Sequence, residues 1–531
     1  MPVRSDSYSQ TYSAFRWEIP RFYNIGADVC DRWANGNNLR ALICLDGELP
    51  QYVSFDEVRR LTNKLANVLI GSGLAAGDRV AILLFRSPQS LIAHVAAFKA
   101  GLVSVCLSPL FSETEIEYRL SITESKVVIT DSAGFAKLES IKGRLELRHV
   151  YVIGKNAGGD QLDSVLAVAS DQFVVAPTRA HDPAVIAFTT GSEGPPKGVL
   201  HAHRSFLGAL PTFELVHDGP PAAGDVYWTP ADWSWLGGLF PVLAAWRYGM
   251  PVLIDGATRF DPYSAFDLMA NYAVRHAFIH PTALKLMRSI RSNQPSLRLL
   301  TLLTGGETLG TEILEWARGV FGVEINEVYA QSECTGIAGN NTRLFPVRPG
   351  SLGRPIPGHD VRIVDQHGCE LGRGQTGIIG VRQPDPAIFL EYWRDPVATK
   401  AKFAGEFLLT GDLATQDEQG YLWYAGRSDD LITTAGYRVS PSEIEDCIMK
   451  HPSVGLVGVV GVPDTVCTEA IKAWVVLKPG FSPSEDLARD IQRLVRSHLA
   501  LHQYPRQIRF TDSLPMSANG KIVRRELRAL H

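Results

Sequence analysis

The sequence predicts an α/β protein: a large N-terminal domain of parallel-sheet α/β layers that ends in a small β unit, then a small α+β C-terminal domain. Three observations carry that expectation. Short β-branched runs alternate with helical patterns through most of the chain, the rhythm of parallel strands covered by helices. After about Pro349 the runs shorten and are punctuated by Gly and Pro. From Asp430 onward a new α/β pattern begins, on the order of a hundred residues and enough for a separate small domain.

The elements follow in order. Asp78–Phe85 reads as a strand through Val80, Ile82, Leu83 and Leu84. Ser87–Ala100 reads as a helix, Val103–Leu107 as a strand, Glu115–Leu120 as a helix and Lys126–Thr130 as a strand. Ala184–Phe188, Val252–Ile254, His276–Ile279 and Leu299–Leu303 continue the strand series. In the β unit, Val361–Val364, Gly377–Arg382, Phe407–Thr410 and Tyr421–Tyr424 are short strands. In the last domain Ser440–Lys450 is helical, with Pro441 in its first turn and acidic residues early. Val454–Val462 and Ala473–Leu477 are strands and Asp486–Leu499 is a helix. No repeat of fixed period is present.

Composition narrows the class. The 531 residues exceed one compact domain. With 45% hydrophobic and 20% charged residues the chain is globular rather than disordered. Lys and Arg number 52 against 56 Asp and Glu, a net charge of −4. No global basic field therefore points to nucleic acid or an anionic membrane, although local phosphate sites remain open. The cysteines (Cys30, Cys44, Cys106, Cys334, Cys369, Cys447 and Cys467) are odd in number and form no CxxC pair. They read as reduced thiols, not as a disulfide framework or a zinc site. Met1–Pro20 lacks the apolar core of a secretory signal. The apolar stretch Leu91–Leu107 is interrupted by His94, Lys99 and Gly101, so it reads as a buried helix and strand instead of a membrane span. The expected location is cytoplasmic.

The first chemical signal follows the strand Ala184–Phe188: Thr189, Thr190, Gly191, Ser192, Glu193, Gly194, Pro195, Pro196, Lys197 and Gly198, with a helical pattern behind it. Glycine lets backbone N–H groups approach phosphate oxygens, Thr and Ser add hydroxyl donors, and Lys197 adds positive charge. The segment lacks the Gly-Lys-Ser/Thr order of the P-loop. By itself it reads equally well as a surface turn rich in Gly, Pro and Thr.

The loop resembles the signature of the adenylate-forming superfamily, which contains acyl-CoA synthetases, peptide-synthetase adenylation domains and beetle luciferases. The usual form is Thr-Ser-Gly-(Ser/Thr)-(Ser/Thr)-Gly-x-Pro-Lys-Gly. Here Thr190 stands where Ser is commoner and Glu193 where a hydroxyl is usual. An inward carboxylate would repel phosphate, so Glu193 is expected to face outward. The resemblance extends from about Asp28 to Leu527 because further motifs follow in the family's order. Gly305, Gly306 and Glu307 resemble the Gly-Glu segment that lies against adenine. Tyr329, Ala330, Gln331, Ser332 and Glu333 resemble Tyr-Gly-x-Thr-Glu. This implies that Tyr329 stacks on adenine, Gln331 and Ser332 contact the nucleotide, and Glu333 holds Mg2+. A carboxylate is a suitable hard ligand for that ion.

Thr410, Gly411 and Asp412 resemble the motif whose Asp accepts from both ribose hydroxyls, as an acceptor-only carboxylate can. Gly426, Arg427, Ser428, Asp429 and Asp430 resemble the hinge region, followed by Gly436, Tyr437 and Arg438. The resemblance assigns Arg427 to ribose and phosphate, Arg438 to phosphate, and Asp429 to the hinge of a mobile C-terminal domain. It assigns Ala435, Gly436, Tyr437 and Arg496 to coenzyme A, with Gly436 lining the pantetheine tunnel. Pro515, four residues, Gly520 and Lys521 match the C-terminal Pro-x-x-x-x-Gly-Lys motif, which makes Lys521 the adenylation lysine. Residues 1–428 are then the AMP-binding domain, with its β unit at about 349–428, and 430–531 the mobile domain.

The implied activity is ATP-dependent activation of a carboxylic acid to an acyl-adenylate, followed by transfer to coenzyme A. ATP, Mg2+ and coenzyme A are the implied cofactors and co-substrates. The implied catalytic residues are Lys521, Glu333 and Thr190, with Thr189, Gly191, Ser192, Gly194 and Lys197 around the phosphates. A lysine acyltransferase and deacylase acting on Lys521 are implied partners, since acylation removes its charge. Loading of a separate carrier protein, or non-catalytic sensing of acyl groups or nucleotide, are the alternatives. For the acid, Asp232, Trp233, Ser234 and Trp235 resemble an Asp-x-Gly-Trp segment, followed by Leu236 and Gly237. Acetate-specific members carry Thr at the position of Gly237, Val at that of Gly305 and Trp at that of Ala330. All three differences reduce side-chain volume, so short- to medium-chain or branched acids are expected over acetate.

Overall fold

The structure is a computed structural model. It describes residues 7–45, 47, 49–154, 158–189, 195–290, 295–306, 309, 311–427, 430, 432–434, 437–464, 468–500, 503–516 and 522–530. The chain divides into two compact units. One is built from Met1–Thr189, Lys197–Asp360 and Gln383–Ala401, the other from Thr190–Pro196, Val361–Arg382 and Lys402–His531.

Among the described residues the first unit holds two large sheets. One has eight strands in the order Glu391–Tyr392, Gly198–Ala202, Pro183–Phe188, Val103–Leu107, Arg79–Leu83, Val127–Asp131, His149–Ile153 and Asp160–Gln161. From Pro183–Phe188 to the far edge every pairing is parallel. Val103–Leu107 is buried along its whole length, so its run is apolar without alternation. The other sheet has nine strands. Its parallel centre runs Arg40–Cys44, Val252–Ile254, Tyr227–Trp228, His276–Phe278, Thr301–Gly305 and Ile325–Gln331. Antiparallel strands flank it at both edges.

The stretch Leu91–Leu107 folds as a helix and a strand. Helix Pro88–Lys99 starts at Ser87, whose side chain accepts from the Ser90 N–H, with Pro in the first turn. Lys99 is fully buried at its end. Its ammonium pairs with Asp31 at 2.5 Å and donates to Thr62 Oγ1 (2.9 Å) and Asn63 Oδ1 (3.0 Å). That full set of partners is what lets a charge sit in an apolar core. Among the described residues no helix is long and apolar enough to cross a membrane.

One local expectation fails. The phosphate loop does not lead directly into a helix. Gly198–Ala202 is a buried strand antiparallel to Pro183–Phe188, pairing Val199 with Ala187 and Leu200 with Ile186. The helix His203–Val216 begins only after it. The loop therefore spans a β-hairpin, because the apolar Val199 and Leu200 gain more by completing the sheet than by starting a helix.

In the second unit, Val361–Val364, Gly377–Arg382, Phe407–Gln416, Phe403–Ala404 and Leu422–Arg427 form an antiparallel sheet. The intervening Gln383–Ala401 belongs to the first unit. A second sheet joins Tyr437–Val439, Ile432–Thr434, Thr468–Leu477, Val454–Asp464 and Gln507–Phe510. Helices Pro441–Ile448 and Glu485–His498 bury Ile444, Ile448, Ile491 and Val495 against Val459, Ile471 and Val475. Arg524, at the start of helix Arg524–Ala529, reaches Glu445 (2.6 Å) and Asp430 (3.2 Å), and Arg528 also reaches Asp430 (3.4 Å).

Candidate active site

In the first unit the site begins at the base of the phosphate hairpin. The Thr189 N–H donates to the Lys197 carbonyl (3.0 Å), and the Lys197 N–H donates to Thr189 Oγ1 (3.2 Å). These two bonds close the neck of the loop. The Lys197 ammonium lies 5.2 Å from the centre of the Tyr392 ring. The Tyr392 hydroxyl donates to Glu333 Oε1. The phosphate loop, Tyr392 and the carboxylate read as the Mg2+ ligand thus form one chain of contacts, although they come from three distant segments.

Glu333 stands where strand geometry puts it. Gln331 pairs with Cys334, so Ser332 and Glu333 form the turn between strands Ile325–Gln331 and Cys334–Gly339. The register slips between Tyr329 and Gln331, which leaves Ala330 exposed on a bulge while Tyr329 stays buried. The turn is held on its main chain as well. The Phe389 N–H donates to the Glu333 carbonyl (2.9 Å), and His201 Nε2 bonds the Ser332 carbonyl at 2.6 Å. A carbonyl only accepts, so His201 must carry its hydrogen on Nε2. Burial lowers the His201 pKa to about 4, which keeps the ring neutral. Glu333 fits Mg2+: it is a buried hard oxygen donor in a tight turn, and that ion uses one or two protein carboxylates beside phosphate oxygens and water.

The residues read as adenine and acyl contacts gather at the carboxyl ends of neighbouring parallel strands, where open α/β sheets bind ligands. Gly305 ends strand Thr301–Gly305 opposite Val328, and Gly306 follows with φ +98°. Trp235 and Phe278 have ring centres 6.2 Å apart. A Cβ at Gly306 would lie 3.8 Å from Trp235 Cη2, so segments 235–237 and 305–306 meet across that indole.

Two of the three volume differences do not open free space. A Cβ at Gly237 would overlap the six-membered ring of Trp235, with Cη2 at 2.7 Å. At Gly305 it would lie 2.7 Å from the Val328 carbonyl oxygen. The indole fills the first volume, and close approach of the neighbouring strand takes the second. Leu236 is buried at the start of helix Leu236–Arg247.

In the second unit Asp412 and Arg427 are direct cross-strand partners, with Arg427 Nη1 at 3.4 Å from Asp412 Oδ1. The preceding Gly411 has φ +80°, and the Asp412 N–H donates to Thr410 Oγ1 (3.2 Å). Arg496 is exposed on helix Glu485–His498, and its guanidinium lies 3.9 Å from the centre of the Tyr504 ring. Tyr437 and Arg438 lie in strand Tyr437–Val439. Thr190, Gly191, Ser192, Glu193, Gly194, Glu307, Asp429, Ala435, Gly436 and Lys521 lie outside the described residues.

Sequence reasoning missed Tyr392 and His201. Neither lies in a motif that flags chemistry. The one signal available for His201 was a histidine inside the apolar run that follows the phosphate loop.

Known proteins resemble this chain over most of their length. The mouse mitochondrial acyl-coenzyme A synthetase ACSM3 is 32% identical, with 99% of this chain and 94% of that protein covered. The acetyl-coenzyme A synthetase of Bacillus subtilis strain 168 is also 32% identical, over 98% of this chain and 95% of that protein. The crystal structure of ATP-bound MatB from Rhodopseudomonas palustris superposes with a TM-score of 0.86 at 27% identity, covering 96% of this chain and 98% of that one. Residues 30–393 match the model of the AMP-binding enzyme family, and residues 443–521 match that of the AMP-binding enzyme C-terminal domain. With both family models matched and relatives alike over nearly the full chain, the chain belongs to the AMP-binding enzymes.

Proposed function

We propose that the protein uses ATP to activate a short- to medium-chain carboxylic acid as acyl-adenylate and then transfers the acyl group to coenzyme A, releasing AMP and pyrophosphate. The observation that supports this reading is the contact chain Lys197–Tyr392–Glu333, in which one tyrosine touches both the Lys197 ammonium and the Glu333 carboxylate. The likeness to relatives named acyl- and acetyl-coenzyme A synthetases supports the choice of acceptor.

In the first half-reaction a carboxylate oxygen attacks the α-phosphorus and pyrophosphate leaves. Negative charge grows on the phosphoryl and leaving oxygens, so catalysis is mainly positioning and electrostatics. Lys197, the loop N–H groups and Lys521 meet that charge. Asp412 accepts from the ribose hydroxyls, and Arg427, held opposite it, orients the nucleotide. Glu333 would hold Mg2+, which would supply neutralisation of phosphate charge. In the second half-reaction the thiol of coenzyme A attacks the acyl carbonyl and AMP leaves. The C-terminal domain turns about Asp429 between the two steps, withdrawing Lys521 and presenting Gly436. Acylation of Lys521 by a cytoplasmic acyltransferase, reversed by a deacylase, silences the first step.

Pyrophosphate release should be measured with acids from acetate to laurate, without and with coenzyme A, and acyl-CoA assayed in the second case. Acid-dependent pyrophosphate release and acyl-CoA formation are expected. Release without any acyl-CoA would favour carrier loading. No release with any acid would leave only a sensor.

A further inference from the structure

We propose that Tyr392 is a positioning residue that orients Glu333 for Mg2+ and at the same time holds Lys197 for phosphate. The proposal rests on the reading of Glu333 as the metal ligand.

The observations are geometric. Tyr392 is only 4% exposed. Its strand pairs Tyr392 with Val199 and Glu391 with Leu200, the first residues beyond the phosphate loop. The Tyr392 N–H donates to Thr399 Oγ1 (2.9 Å), and the Phe389 ring packs edge-on at 5.0 Å. The ring is thus fixed before any ligand arrives. Its hydroxyl donates to Glu333 Oε1, while the Phe389 N–H from the same segment holds the Glu333 carbonyl. A carboxylate anchored at one oxygen cannot rotate about its last bond without breaking that anchor. Partners of this kind orient metal ligands and tune their affinity.

The ring face does a second task. A cation within about 6 Å of an aromatic centre is attracted by the ring quadrupole. The Lys197 ammonium, at 5.2 Å, meets that condition. Tyr392 therefore offers Lys197 a neutral ring face and Glu333 a neutral hydroxyl donor. A phenylalanine would pack the same space, so packing alone does not require the hydroxyl. The two tasks use different parts of one side chain and can be separated.

The test uses the full-length protein as wild type, Y392F, Y392L and E333Q. ATP binding is measured by calorimetry in EDTA and across a Mg2+ series, with a thermal melt for each variant. E333Q should raise the Mg2+ concentration for half-maximal enhancement of ATP binding. Y392F should raise it in the same direction, by about 10-fold or more, as loss of a partner behind a metal ligand does. Its ATP affinity in EDTA should stay at the wild-type value. Y392L should weaken ATP binding in EDTA as well, because Lys197 loses its support. Y392F with wild-type Mg2+ demand, beside an E333Q that shows the shift, overturns the role of Tyr392 alone. E333Q with wild-type Mg2+ demand overturns the reading of Glu333 and the proposal with it. A lowered melting temperature in Y392F without a change in Mg2+ demand makes the contact merely structural and also overturns it.

Discussion

Replacing Trp235 with Ala should move the enzyme toward longer acids. The indole occupies the volume that Gly237 leaves and reaches Gly306 across the ends of the parallel strands. Removing it makes room for about four methylenes. At about 0.8 kcal/mol for each buried methylene, that gains about 3 kcal/mol for an acid long enough to fill the space. Such a difference corresponds to about 200-fold in relative kcat/KM. Trp235 is half-buried, so the stability loss should fall below the roughly 3–5 kcal/mol of a fully buried Trp→Ala change. Two reciprocal variants make the test stricter. Gly237→Ala sets a methyl against the indole and should narrow the pocket. Ala330→Trp, at the exposed bulge, should favour acetate. The assay is kcat/KM by pyrophosphate release for straight-chain acids from acetate to laurate. An unchanged profile in Trp235→Ala, or a shift to longer acids in Gly237→Ala, refutes the assignment of the indole as the pocket wall.

Lys521→Ala should abolish adenylation and spare the attack of coenzyme A on supplied acyl-adenylate; equal loss in both half-reactions would exclude the two-conformation cycle. Acid should destabilise the fold. Burial lowers His94 to about 3 and His201, His203 and His280 to about 4, from the usual 6.5. The unfolded chain takes up these protons first, so stability is intact above pH 6.5 and is lost as pH falls toward 4. Each histidine contributes a slope of up to about 1.4 kcal/mol per pH unit. Urea unfolding between pH 7.5 and 4.5 reads this, and a flat midpoint would contradict it. Arg524→Met removes the arginine paired with Glu445 and, among the described residues, one of two arginines paired with Asp430. It should destabilise the second unit by about 3 kcal/mol. Arg524→Lys should recover part of that loss in a thermal melt, and a wild-type melt for Arg524→Met would show that the cluster contributes nothing.

The parallel strands were legible because burial on both faces selects unbroken β-branched runs, and Val103–Leu107 and Val127–Asp131 stand close to where the sequence places them. Strand Thr468–Leu477 is longer than its apolar half, since Glu469 and Lys472 interrupt the signal although they pair in register with Val454–Asp464. Helix Glu113–Thr123 is longer than its apolar centre because Ser112 and Glu115 form a capping box that extends it. Asp412 and Arg427 were both legible from motifs, but their pairing across two strands was not. Tyr392 and His201 were invisible for a related reason. Their roles come from pairing with residues far away in sequence, and a local pattern carries no record of that. The acyl pocket was legible only in part: side-chain volume can be read from sequence, but whether a neighbour has already filled the gap, as at Gly237 and Gly305, cannot.

The closed neck of the phosphate loop bears on how binding is divided between entropy and contacts. Thr189 and Lys197 are joined by two hydrogen bonds, and the strands beyond them continue in register. Bringing the loop ends together is therefore a cost met during folding, not when nucleotide arrives. Changes in loop length or composition should then alter affinity for ATP while leaving the register of both sheet strands untouched.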